Sequence, residues 1–205
     1  MNERDIERYA ELIITKGINL QKNKAVLITT GVGTYYFARA LGKAAYRLGA
    51  SYVQILTDDL DLLTARLEAQ TEEEVQFVPA YIKALDYEFI SEGWSFIRVD
   101  STDERLDHGP LDPTKNQLAS RARQLAGQTR SKALMRHQLP WCVCVAPGPL
   151  WAKQVLGEDA TEKDLFEVLK PILLLDHEDP QRAWEEKHEM LEKRMEFINN
   201  LDFKA

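Results

Sequence analysis

The residues whose spacing comes closest to a ligand-binding motif are two glycines and a threonine near the start of the chain. Gly31 and Gly33 follow an apolar run, and Thr34 precedes a helical pattern. A glycine turn between a strand and a helix is where a dinucleotide pyrophosphate binds, and Asp58 or Asp59, after the next apolar run, lies near the usual position of a ribose-binding acid. However, Tyr36 stands where the motif needs its third glycine. We therefore expect a tight turn with Thr34 at the N-cap, and we keep a small nucleotide- or anion-binding module at this turn as the alternative.

The four histidines do not have the spacing of a metal site. His177 is followed four residues later by Gln181, so the helical zinc motif lacks its second histidine. Glu185 and His188 share one face of a predicted helix, as in di-iron bundles, but a second such pair is missing. A solvated, charged helix face explains them better. The sequence therefore predicts no metal ligand and no cofactor bound by this chain.

The two cysteines are the remaining candidates for catalysis. Cys142 and Cys144 lie two residues apart in an apolar run, so they point to the same face of a strand. An apolar environment raises the pKa of a thiol and leaves the sulfur unreactive. A Gly-x-Ser-x-Gly nucleophile elbow does not occur either. We expect both cysteines to be reduced and buried, and we predict no catalytic residue in the chain.

Strand and helix patterns alternate along the sequence. Apolar runs predict strands over residues 24–30, 51–57, 94–99 and 141–146, and the last run is typical of a strand covered on both faces. Helical patterns occupy residues 5–16, 34–48, 59–69, 71–91, 113–137, 161–175 and 179–200. Strands separated by helices require right-handed crossovers. The sequence therefore predicts a single α/β domain over residues 1–205, with a mostly parallel sheet and helices on both faces, in a Rossmann- or flavodoxin-like three-layer arrangement.

A stiff loop follows the fourth predicted strand. Pro147 and Pro149 fix two φ angles around Gly148, and the next helix begins near Trp151. Open α/β sheets bind their ligands at the carboxyl ends of the strands. The residues at those ends are therefore expected to line a cleft: Gly31, Gly33, Thr34, Asp58, Pro147 and Trp151.

Composition limits the classes of partner. With 205 residues and 44% hydrophobic content, the chain can bury a core without disulfides or metal. Its net charge of −7 argues against a nucleic-acid partner, because phosphate binding depends on clustered Lys and Arg. The first residues are charged, and no apolar run is long enough to span a membrane. We expect a cytoplasmic protein.

Three segments together resemble one enzyme family, the metal-dependent aminopeptidases of the aminopeptidase T and aminopeptidase S type. The segment 139–153 is similar to a strand and loop of that family. Residues 9–13 and 16–21 are similar to its opening helix and turn, and Asp179-Pro180, Ala183-Trp184 and Leu191 resemble its long linking helix. One position departs from the pattern, because the family usually has Pro-Thr where this chain has Pro147-Gly148.

The resemblance implies an enzyme about twice as long that removes N-terminal amino acids from peptides. Its two divalent metal ions lie on carboxylates and histidines of a second, C-terminal domain, and the enzyme is a homodimer. The chain then corresponds to the N-terminal domain, which forms part of the substrate cavity. Its partner is the missing catalytic domain, and alone it is expected to be inactive.

Overall fold

The computed structural model describes residues 1–100 and 102–201. Its sheet consists of β1 (Ala25–Gly31), β2 (Tyr52–Asp58), β3 (Ser95–Asp100) and β4 (Trp141–Val145). The strand order is β2-β1-β3-β4, and every neighbouring pair is parallel. Ser101 and residues 202–205 of the predicted domain lie outside the described residues.

Helices connect and flank the strands. They are α1 (Glu3–Leu12), which continues into a π-helical turn (Ile13–Gly17), α2 (Tyr35–Arg47), α3 (Leu60–Ala69), a 3-10 turn (Glu74–Gln76), α4 (Ala80–Ser91), α5 (Thr102–Asp107), α6 (Pro113–Ala126), α7 (Gln128–Met135), α8 (Pro149–Leu156), α9 (Glu162–Ile172) and α10 (Pro180–Asn199). None of the helices in the described ranges is long and apolar enough to cross a membrane.

The core lies on both faces of the sheet, because side chains alternate along β1. Val26 and Ile28 pack with residues of α1, α2 and α9 on one face. Leu27 packs on the opposite face with Phe89 of α4 and Phe96 of β3. The predicted α/β class, with a parallel sheet between two helical layers, is confirmed.

The position of β4 corrects one prediction. The strand lies at the edge of the sheet, beside β3 only. Trp141 is 37% exposed and Val143 is 52% exposed on one face, whereas Cys144 is buried and Cys142 is half-buried on the other. An apolar run shows that a strand prefers burial, but it does not say which faces the helices cover. The prediction of a strand covered on both faces was therefore wrong, and only one of the two cysteines is buried.

Two predicted helices are shorter than the patterns indicated. Thr71 and Glu74 form reciprocal capping contacts, yet they begin only the 3-10 turn. The next helix, α4, begins only after Pro79, because a proline disfavours helical conformation in the residue before it. The long helix predicted over residues 113–137 divides at Gly127 into α6 and α7. The six-residue helix α5 was not predicted.

The last helix extends beyond the body of the protein. In its first half, the indole Nε1 of Trp184 donates a hydrogen bond to the Leu173 carbonyl at 2.8 Å, and Lys16 forms a salt bridge with Glu185. From His188 onward every residue of α10 is exposed. Its large apolar side chains in this part, together with the residue that follows Asn200, form a surface that we call the α10 stripe: Met190, Leu191, Met195, Phe197, Ile198 and Leu201.

Candidate functional site

An open cavity of about 450 Å³ lies at the carboxyl ends of β1, β2 and β3. The strand order explains its position. The chain leaves β1 toward β2 on one side and later returns to β3 on the other, so the connecting segments diverge above β1. A crevice opens at such a switch point in parallel sheets. We call this feature the strand-end cavity.

Four arginine side chains line the strand-end cavity, and three of them are engaged by other groups. Arg105 forms two hydrogen bonds with the Asp100 carboxylate, at 2.6 and 2.8 Å. Arg123 lies 2.9 Å from an oxygen of Asp58, in an exposed pair that contributes little to stability. Arg66 donates to backbone carbonyls of the segment between α3 and α4. These contacts hold the guanidinium groups of Arg105 and Arg66 firmly in place, and they hold that of Arg123 less firmly.

Arg98 is the fourth arginine and differs from the other three. Its residue lies in β3 beside Thr29 of β1 and Val143 of β4, and it is exposed. Within residues 1–100 and 102–201, its guanidinium forms no hydrogen bond or salt bridge. Its charge does act on Asp100. The pKa of that carboxyl is lowered first by the hydrogen bonds from Arg105, and the positive charge of Arg98 adds to the effect.

Three acidic residues line the same cavity: Asp58, Asp59 and Glu104. Asp59 is the N-cap of α3 and accepts a hydrogen bond from the Leu62 amide at 3.0 Å. The Glu104 carboxylate accepts a hydrogen bond from the Gly33 amide, just before α2. An amide at a helix N-terminus is where a phosphate would bind. In this protein a carboxylate from α5 already occupies it.

The structure brings together some of the predicted cleft residues. Gly31 and Asp58 are register partners and both line the strand-end cavity. Gly33 lines an adjoining depression with Glu104. Thr34 occupies the predicted N-cap position of α2 but forms no side-chain capping bond there; its hydroxyl lies 2.8 Å from that of Thr30, and both residues are buried.

The other two predicted cleft residues lie at the end of β4, and neither lines the strand-end cavity. Pro147 is buried. The backbone amides of Leu150 and Trp151 donate to the two oxygens of Asp103, at 2.8 and 3.0 Å. Asp103 therefore caps the N-terminus of α8. A Cβ at Gly148 would collide with this carboxylate, which explains the glycine at that position.

Sequence reasoning missed Arg98 inside β3 and the two acids that follow this strand. Arg98 interrupts the apolar alternation of that strand, and Asp103 and Glu104 are adjacent acids shortly after its end. An arginine inside an otherwise buried strand was the available signal for the cavity. The two acids gave no comparable signal, because their partners at Gly33 and Leu150 are distant in sequence.

Residues 2–205 match the sequence profile of the thermophilic metalloprotease (M29) family. The chain belongs to the M29 family. It is 30% identical to aminopeptidase T of Thermus thermophilus, over 99% of this chain and 50% of that protein. It is 26% identical to aminopeptidase 2 of Geobacillus stearothermophilus, over 98% of this chain and 49% of that protein.

A solved structure of wild-type AmpT from Thermus thermophilus has the same fold over much of the chain. The TM-score is 0.70 at 29% identity, and the match covers 80% of this chain and 42% of that chain. The chain thus spans about half the length of the curated relatives it matches. The resemblance to the aminopeptidase T and S type is confirmed.

Membership in M29 implies a metal ion, and the described residues do not fit one. Across residues 1–100 and 102–201, no group of three or more histidine, cysteine, aspartate or glutamate side chains is arranged so that it could hold a metal ion. His188 pairs with Glu192 on the exposed part of α10, where a single helix face offers two ligands at most. The strand-end cavity contains acids, but arginines and backbone amides engage them. No metal-dependent step is assigned to these residues.

Proposed function

We propose that this chain is the non-catalytic half of a metal-dependent aminopeptidase that removes N-terminal amino acids from peptides. Its strand-end cavity forms part of the wall of the substrate cavity. The divalent metal ions, two in the family that the sequence resembles, and the activated water belong to a second domain. Alone, the chain hydrolyses no peptide.

One observation carries this proposal. The chain aligns from end to end with one half of named aminopeptidases, while the described residues contain no cluster that could hold a metal ion. Hydrolysis by a metalloprotease needs a metal with an open coordination position and several fixed ligands. A half that offers a cavity without such ligands is suited to binding and positioning the substrate.

The α10 stripe supports a second domain as the partner. An isolated helix as short as the exposed part of α10, residues 188–199, is marginal in water, and most helical stability in proteins comes from packing of an apolar face. The second half of α10 exposes such a face, with Phe197 at 66% and Met195 at 55% exposure. We propose that the second domain covers the α10 stripe.

The proposal is tested by supplying the second half. The chain of 205 residues is compared with the same chain joined to the second half of aminopeptidase T of Thermus thermophilus. Each is incubated with cobalt, zinc, manganese or magnesium, and release of N-terminal leucine from a peptide is measured. Activity is expected only in the joined protein.

A variant of the joined protein tests the apolar contact between the two halves and leaves the strand-end cavity unchanged. Phe197→Ser and Ile198→Ser in the joined protein should lower activity, since the two halves then lose part of their contact. Comparable hydrolysis by the 205-residue chain alone would refute the half-enzyme proposal. It would require an active site within the chain itself.

A further inference from the structure

We infer that the strand-end cavity binds the carboxylate group of a short peptide, with Arg98 as its anchor. The inference rests on the proposed function in one respect, the choice of a peptide as the molecule that carries the carboxylate. The cavity of about 450 Å³ has the size of a small-molecule site. It therefore has room for a few residues of peptide.

Four arginine guanidinium groups line the cavity, and among the described residues only that of Arg98 has no hydrogen bond or salt bridge. Arg98 is therefore the anchor. A guanidinium presents a planar set of donors that matches the two oxygens of a carboxylate. The backbone amide of Gly33 cannot serve in the same way, since it already donates to Glu104. Recognition of an anion at this end of the sheet thus depends on a side chain of β3.

The charges around Arg98 favour a carboxylate over a phosphate. Asp58, Asp59 and Glu104 line the same cavity and would repel a phosphate, which carries up to two negative charges at neutral pH. A short peptide has one carboxylate and one ammonium group. Its ammonium could lie near the acids while its carboxylate pairs with Arg98, so a cavity with both signs of charge suits it.

The test is a calorimetric titration of the 205-residue chain with leucyl-glycine, with leucyl-glycine amide and with inorganic phosphate. We expect saturable binding of the free dipeptide with a dissociation constant of about 1 mM. Arg98→Gln should weaken it about tenfold, which is the usual effect of losing a charge-assisted hydrogen bond. The amide, which lacks the carboxylate, should bind the original protein as weakly as the free dipeptide binds the variant.

Arg121→Gln is the matched control. Arg121 is an exposed arginine of α6, two residues from Arg123, and does not line the cavity. This variant should bind the dipeptide like the original protein. Arg98→Lys provides a second variant, since it keeps the charge and the aliphatic stem. It should weaken binding less than Arg98→Gln, and thermal unfolding of both variants shows whether they are folded.

Three results of the dipeptide titrations would overturn the inference. They are absence of saturable dipeptide binding, equal binding of the dipeptide and its amide, and unchanged binding in a folded Arg98→Gln variant. Tighter binding of phosphate with the same dependence on Arg98 would also overturn it, because the ligand would then be a different anion. The titration uses no second domain, so its failure is distinct from failure of the hydrolysis assay.

Discussion

Asp103 holds together two segments that follow different strands. It lies in α5, after β3, and its carboxylate accepts the amides of Leu150 and Trp151 at the start of α8, after β4. Removing a helix N-cap costs about 1 kcal/mol. The absence of a side chain at Gly148 allows the contact, because a Cβ there would occupy the position of the carboxylate.

This contact predicts a compensating pair of substitutions. Gly148→Thr should destabilise the protein by about 1–2 kcal/mol, because the new side chain displaces the Asp103 cap. Gly148→Thr combined with Asp103→Ala should lose less than the sum of the two single changes, since the threonine hydroxyl can then accept the α8 amides. Urea unfolding of all four proteins measures the coupling. Strict additivity would contradict this account.

Asp86 is a buried acid whose charge depends on one partner. It is 3% exposed in α4, and Arg130 of α7 lies 2.9 Å from one of its oxygens. Burial raises the pKa of Asp86, and the positive charge of Arg130 lowers it. Arg130→Gln should therefore raise this pKa further and destabilise the protein by about 3 kcal/mol at pH 7.

The pH dependence of that variant has a definite sign. A folded-state pKa above the unfolded value means that the native protein retains a proton that the unfolded chain has lost. Stability then falls as the pH rises from the unfolded pKa through the folded one. The loss in free energy of unfolding caused by Arg130→Gln should be smaller in acid than at pH 7. Adding Asp86→Asn to this variant should remove the pH dependence of that loss. Urea unfolding at pH 4.5 and pH 7 tests both expectations.

The Glu104 contact predicts how the glycine turn responds to nucleotides. Because the Gly33 amide is engaged by this carboxylate, calorimetry with NAD, FMN and ATP should show no binding tighter than about 1 mM. Glu104→Gln removes the negative charge that competes for the Gly33 amide, so the same titrations of this variant show whether Glu104 prevents nucleotide binding. Micromolar binding that disappears in Gly33→Leu would restore the nucleotide-binding alternative.

At the scale of elements, the edge strand β4 gives its two cysteines different environments. Both thiols have a pKa raised by burial, and Cys144 is the more buried. The turn at Gly17 covers Cys142 so closely that a Cβ at Gly17 would lie 2.9 Å from its Sγ. Each unit of increase in pKa reduces the thiolate about tenfold.

Thiol labelling of the native protein should therefore be slow and biphasic, with Cys142 reacting first. The rate of both phases should rise with pH, because the thiolate is the reactive form. Cys142→Ala and Cys144→Ala identify the phases. Rapid labelling of both thiols at neutral pH would contradict the burial of Cys144.

The alternation of strands and helices, their approximate bounds and the parallel sheet could be predicted from sequence because each depends on local apolar periodicity. The edge position of β4 could not, since Trp141 and Val143 read as core residues unless the strand order is known. The division at Gly127 and the delay of α4 until after Pro79 were signalled by a glycine and a proline, which the longer helical patterns concealed.

Only part of the candidate site could be predicted, because local patterns do not show which distant residues meet. Gly31 and Asp58 meet at the strand ends because the sheet is parallel, as expected. The contacts of Glu104 with Gly33 and of Asp103 with α8 join residues 71 and 47 or 48 positions apart. Pairings at such separations depend on tertiary geometry, which no local pattern contains.

At the scale of the whole molecule, α10 should be the least protected long helix. Its residues before His188 contact the body, whereas every described residue from His188 onward is exposed. Backbone amides of the second half of α10 should exchange with solvent much faster than those of α2, because few buried contacts oppose local opening. Joining the second domain should protect them. Equal, slow exchange in both helices of the 205-residue chain would show that α10 is stabilised without a partner.

The placement of α10 also has a consequence for biosynthesis. All four strands lie between Ala25 and Val145, so the whole sheet is translated before α10. Domains that emerge first generally fold first. The α10 stripe is among the last described surfaces to leave the ribosome, and any segment translated after it meets a sheet that is already formed. Synthesis in this order shortens the time for which an apolar helix face is exposed to other nascent chains.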